Sequence, residues 1–81
     1  MHEVIYMADY MGPNSDEYEF FWLDARLGPL LQEIGKIVRR NWKHAEVYFE
    51  DITAKSFRIE IVHDSDGERV TEKFLVTKYY A

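Results

Sequence analysis

The chain predicts an α+β fold: an antiparallel β-sheet of about five strands, in the order ββαβββ, with one central amphipathic helix packed on one face. Three observations predict it. Residues 28–44 carry the apolar spacing of a helix. Residues 45–80 alternate apolar and polar side chains around the turn pair Asp66-Gly67. Residues 3–23 place two β-forming segments on either side of Gly12-Pro13-Asn14-Ser15-Asp16, a cluster of turn formers.

The helix is the clearest element. At about 100° per residue, Leu30, Leu31, Ile34, Ile37, Val38 and Trp42 fall in one arc. Gln32, Lys36, Arg39, Arg40 and Lys43 fall opposite. Leu27 joins the apolar arc if the helix begins earlier. Pro29 suits the first helical position, where a missing N–H loses no partner. Arg39, Arg40 and Lys43 suit the negative end of the helix dipole. Gly35 costs about 1 kcal/mol relative to alanine. Its place at the margin of the apolar arc points to close approach to the sheet.

Before the helix, segments 3–8 and 18–23 pair as a hairpin. If Tyr10 faces Tyr18, then Ala8 faces Phe20 and Tyr6 faces Trp22 on one side. Met7 then faces Phe21 and Ile5 faces Leu23 on the other. Both sides are apolar, so one covers the helix and the other needs a shelter or forms an exposed patch. A rival reading makes residues 15–27 a helix, capped by Asn14 with Glu17 three residues on and stopped by Gly28. The strand is preferred because Tyr18-Glu19-Phe20-Phe21-Trp22 is strongly β-forming.

After the helix come three strands. Ala45, Val47 and Phe49 alternate with Glu46, Tyr48 and Glu50; Phe57, Ile59, Ile61 and His63 alternate with Arg58, Glu60 and Val62. A two-residue loop at Asp66-Gly67 sets Ser65 against Glu68. The register then runs His63 to Val70, Glu60 to Lys73, Ile59 to Phe74 and Phe57 to Val76. Glu72 lands opposite Ile61 on the buried side; a bulge, or a nearby Arg39 or Arg40, would resolve this. The turn at Ile52-Thr53-Ala54 must keep Phe49 on the face of Phe57 and Ile59, because a slip of one residue reverses the faces.

The 81 residues suit one domain spanning 1–81, with stability of roughly 4–12 kcal/mol. The absence of cysteine fits a cytoplasmic, intracellular protein. No basic region followed by an apolar run marks a signal peptide. The net charge of −5 is unevenly spread. Residues 1–25 hold six acids and no Lys or Arg; the remainder holds nine acids and ten bases.

No constellation for catalysis emerges. His2, His44 and His63 lack the spacing of paired metal ligands, and no cofactor motif is present. Asp64-Ser65-Asp66-Gly67 resembles part of a calcium loop but lacks its spaced ligands and final glutamate. The serines have no adjacent base, and the glycines are scattered. The reading is therefore non-enzymatic, without cofactor or metal.

Two surfaces remain. One is acidic and aromatic: Asp9, Tyr10, Asp16, Glu17, Tyr18, Glu19, Trp22 and Asp24. Tyr and Trp are the usual anchors of protein interfaces, and carboxylates around them speed encounter with a basic partner. The other is the basic helix face of Lys36, Arg39, Arg40 and Lys43, suited to phosphates. The acidic surface predicts an inhibitor or adaptor docking on a larger protein with a basic, nucleic-acid-binding surface. Small acidic cysteine-free chains of this kind occur among phage anti-defence (anti-CRISPR) proteins, antitoxins and immunity proteins; the likeness is one of kind. The alternatives are a nucleic-acid-binding accessory domain using the basic face, and a homodimer joined through the aromatic hairpin. A membrane partner is not expected.

Overall fold

The computed structural model describes residues 4–13, 21–42 and 44–80, with the side chain of Phe21 outside the description. Strand β1 is Val4–Gly12, β2 is Phe21–Asp24, helix α1 is Leu27–Asn41, and β3, β4 and β5 are Glu46–Thr53, Ser56–Ser65 and Glu68–Tyr80. The five strands form one antiparallel sheet in the order β2-β1-β5-β4-β3. The expected α+β architecture and the order ββαβββ are both present.

The β4–β5 hairpin has the register read from the sequence, including Phe57 with Val76, Ile59 with Phe74 and His63 with Val70. Its cause is local. Asp66 and Gly67 have φ of 51° and 83°, the two positive values that a primed hairpin turn requires. The loop before β2 is different: the described strands rule out a helix over residues 21–24, and residues 14–20 lie outside the description. The β1–β2 register is a correction. Ala8 faces Trp22 and Met7 faces Leu23, two residues from the expected pairing. A shift of two preserves the faces of every side chain, so hydrophobic patterning cannot oppose it.

Helix α1 starts one residue earlier than expected and stops at Asn41. Pro29 is thus its third residue, still among the N–H groups that have no intrahelical partner. Trp42 leaves the helix in an extended conformation while its N–H still bonds to the Val38 carbonyl at 2.8 Å. Leu30, Ile34, Val38 and Trp42, four residues apart, are buried. They close over Ala8 and Tyr10 of β1, Ile59 and Ile61 of β4, and Phe74 and Val76 of β5.

Gly35 does not approach the sheet. A Cβ there would meet only the Arg39 guanidinium, at 3.4 Å. That guanidinium is the mobile end of an exposed side chain, so Gly35→Ala is expected to raise stability by up to about 1 kcal/mol through helix propensity. A thermal melt of this variant at or below the parent temperature would disprove this.

One helix cannot cover the whole sheet. Its fifteen residues span about 22 Å, while the molecule is 50 Å along its longest axis. The helix backbone comes closest to β1 and β2. Strand β3, at the far edge, is exposed along its full length.

Candidate functional site

The most polar place in the core lies where β1, β4 and β5 pass beneath the helix. Glu72 is fully buried, at 0% exposure. The Tyr10 hydroxyl donates to both of its carboxylate oxygens, at 2.9 and 3.2 Å. The Nε2 of His63 lies 3.8 Å from Oε2 of the same carboxylate. The imidazole is stacked on Trp42, with centroids 5.4 Å apart and planes at 21°, and its Nε2 makes no hydrogen bond. Burial of Glu72 opposite Ile61 matches the sequence reading, but the expected relief does not. Neither a bulge at Glu72 nor Arg39 or Arg40 serves it. A phenol and an imidazole face it, both brought from other strands. The cluster is sealed from solvent, so its chemistry is internal: it ties three strands together.

The acidic, aromatic surface is only partly assembled as expected. Tyr10 is a correction: it is buried, its hydroxyl is committed to Glu72, and its ring lies 5.3 Å from that of Phe74. It is no part of an outer surface. Trp22 is half-buried and packs on the core, with its ring 6.1 Å from Phe74. Asp24 is half-buried and accepts the backbone N–H of Arg26 at 2.9 Å, at the entry to the helix. Asp9 faces away from the helix beside Leu75. Asp16, Glu17, Tyr18 and Glu19 lie outside the described residues.

The β1–β2 end of the sheet is nevertheless apolar on the face away from the helix. Leu23 is 60% exposed and pairs with Met7; Ile5 pairs with Tyr79, and Met11 is 57% exposed nearby in the chain. Val4, Ile5, Leu23, Asp24 and Ala25 line a shallow open cavity there. Physically this is a partly exposed hydrophobic strip, with Asp9 the acid of β1 that shares its face.

On the helix, Lys36, Arg39 and Arg40 are exposed, and Lys43 lies outside the description. Lys36 pairs with Glu33 at 3.2 Å. Among the described residues, Arg39 and Arg40 have no ion-pair partner. Asn41 uses its side chain on the Ile37 carbonyl at 3.0 Å.

The surface that sequence reasoning missed is β3. Val47, Tyr48, Phe49 and Ile52 are all large, apolar or aromatic, and exposed. Phe49 does share the face of Ile59 and Phe57, as the alternation requires. It is not buried, because no helix reaches that edge. On the other face the Arg69 guanidinium meets Glu46 at 3.0 Å, and Arg58 meets Glu50 at 3.4 Å. The Tyr48 hydroxyl donates to Glu46 at 2.6 Å and, with Arg69, holds that carboxyl below its ordinary pKa.

Among the described residues, no three His, Asp or Glu side chains come together as metal ligands. None of the described helices is long and apolar enough to cross a membrane. No protein-family model matches this chain, and neither a curated protein nor a solved structure is significantly similar to it.

Proposed function

We propose that this protein is a small non-enzymatic binding module, an intracellular inhibitor or adaptor, that docks its β1–β2 end on a larger protein with a basic surface. The observation that carries this reading is exposed Leu23 beside half-buried Met7 and Ile5 on the face of the sheet away from the helix. They sit in the one part of the chain that holds six acids and no Lys or Arg. Apolar area supplies affinity on desolvation, and carboxylates around it speed the encounter with a cationic surface. The sheet face there carries no helix, so a partner approaches without displacing any part of the described fold.

The test begins with capture of a partner from lysate at low and moderate salt, followed by titration of that partner with variants. Leu23→Glu is expected to weaken binding at least tenfold by charging the strip. Asp9→Lys is expected to slow association and flatten its salt dependence. Glu68→Lys, in the distant β4–β5 turn, is the control and leaves binding unchanged. Equal binding by all three variants would refute the docking surface.

A second reading rests on the exposed, unpaired Arg39 and Arg40, which suit phosphate contacts. Low-salt titration with duplex DNA and with RNA separates the two readings. Binding that Arg39→Glu and Arg40→Glu abolish would favour the helix face.

A further inference from the structure

Strand β3 forms one edge of the sheet, eight residues long and exposed throughout. Long exposed edges invite pairing with another chain. Glu46–Thr53 also lacks the usual protections, with no Pro, Gly or Lys in the strand. Its irregular pairing comes only at the end, between Asp51 and Thr53. Two of its three carboxylates are engaged by Arg69 and Arg58 of the same chain. Charge repulsion therefore guards this edge weakly.

From this edge we infer that a second copy of the chain pairs with it. Strand β3 lies antiparallel to β3 of the other copy, about a two-fold axis through Phe49 and perpendicular to the sheet. Among the registers that pair five or more residues of the strand, its sequence selects this one. Such an axis keeps each residue on its own face, so facing positions differ by an even number. Centred on Phe49, Glu46 faces Ile52, Val47 faces Asp51 and Tyr48 faces Glu50. Every carboxylate then opposes an uncharged side chain. Centring on Tyr48 sets Glu46 against Glu50 twice. Centring on Glu50 or Asp51 brings two identical carboxylates together on the axis. Like charges directly opposite each other destabilise a strand pair.

The apolar side agrees. Phe49 is 64% exposed on the helix side of the sheet, with its ring 6.4 Å from Phe57. In the proposed pair the two Phe49 rings meet at the axis, each backed by Phe57. Val47 and Tyr48 lose exposure at the same time. The two five-stranded sheets become one continuous sheet with both helices on one face. The β2 strands lie at its two extremities, away from the new contact, so this inference does not rest on the docking proposal.

The chain has no cysteine, so a single introduced thiol reports the register directly. Facing Cα atoms in an antiparallel pair lie about 4.5–5.5 Å apart, within the usual reach of a disulfide. Under mild oxidation Phe49→Cys is expected to form a covalent dimer. Val47→Cys alone and Asp51→Cys alone are expected to stay uncrosslinked, while their mixture crosslinks. In sedimentation equilibrium the parent chain should approach twice 9.7 kDa as concentration rises. Phe49→Lys should return it to the single mass while melting, at a dilution where the parent is monomeric, at the parent temperature, since the side chain is outside the core. A parent chain that is monomeric at every concentration overturns the inference. So does a dimer that survives Phe49→Lys, or crosslinking of Val47→Cys alone as readily as Phe49→Cys. Loss of a different protein's binding on β3 substitution, with the chain itself monomeric, would also overturn it and assign the edge to that protein.

Discussion

Phe74→Ala is expected to lower stability by about 3–5 kcal/mol. Phe74 is fully buried at the centre of β5. Its ring lies 5.3, 6.1 and 6.3 Å from those of Tyr10, Trp22 and Trp42. Those partners come from β1, β2 and the end of α1, so one ring joins the hairpin, the helix and the central strand. Alanine would leave a cavity that three large rings, each fixed by its own backbone, cannot collapse to fill. Against a total of roughly 4–12 kcal/mol, the loss consumes a large part of the stability. At about 4–8 °C per kcal/mol, the melting temperature should fall by roughly 12–40 °C. A far-UV circular dichroism melt measures it. A fall smaller than about 5 °C would mean that Phe74 is not enclosed as described.

Tyr10→Phe should cost about 1.5–3 kcal/mol, although it removes a single oxygen. The hydroxyl donates to the Glu72 carboxylate at 2.9 and 3.2 Å, and that carboxylate has no access to water. Deleting the donor leaves a buried carboxyl one hydrogen bond short, which costs more than the bond's net contribution. The decisive comparison is Tyr10→Phe combined with Glu72→Leu. Replacing both partners by apolar groups removes the buried carboxyl as well as its donor. The double variant is therefore expected to be more stable than Tyr10→Phe alone. Urea midpoints at constant slope provide the measurement. If the two changes simply add, the Tyr10–Glu72 bond is not what holds this part of the core.

These two effects differ in how far a sequence can announce them. Phe74 stands in an alternating strand whose register a two-residue turn dictates, so its inward direction follows from local chemistry alone. Glu72 follows from the same turn: once Ser65 faces Glu68, Glu72 must face Ile61. What the alternation cannot supply is the donor. Tyr10 is 62 positions away in the chain, and nothing near Glu72 names it. The reverse error has the same origin. Tyr10 sits among acids and aromatics, which made it a natural member of a docking surface. It is core because β1 lies beside β5, directly beneath the helix.

Strand β3 shows the same limit from the other side. Val47 and Phe49 alternate with Glu46, Tyr48 and Glu50 just as buried and solvated faces do. The alternation specifies which residues share a face, and the structure agrees. Whether that face is covered depends on how far a fifteen-residue helix reaches across five strands. That is a matter of length and placement, and no residue of β3 carries it.

By itself the sequence determined the elements whose causes are local: the apolar stripe of α1, the Asp66-Gly67 turn, the β4–β5 register and the acidic character of the first 25 residues. Only the tertiary structure decided the β1–β2 register, the burial of Tyr10 against Glu72 and the exposure of β3. The physical reason is range. Backbone dihedral preferences and side-chain periodicity act over a few residues. Strand order and helix placement depend on contacts between distant segments, and these settle which apolar faces are closed and which stay open for a partner.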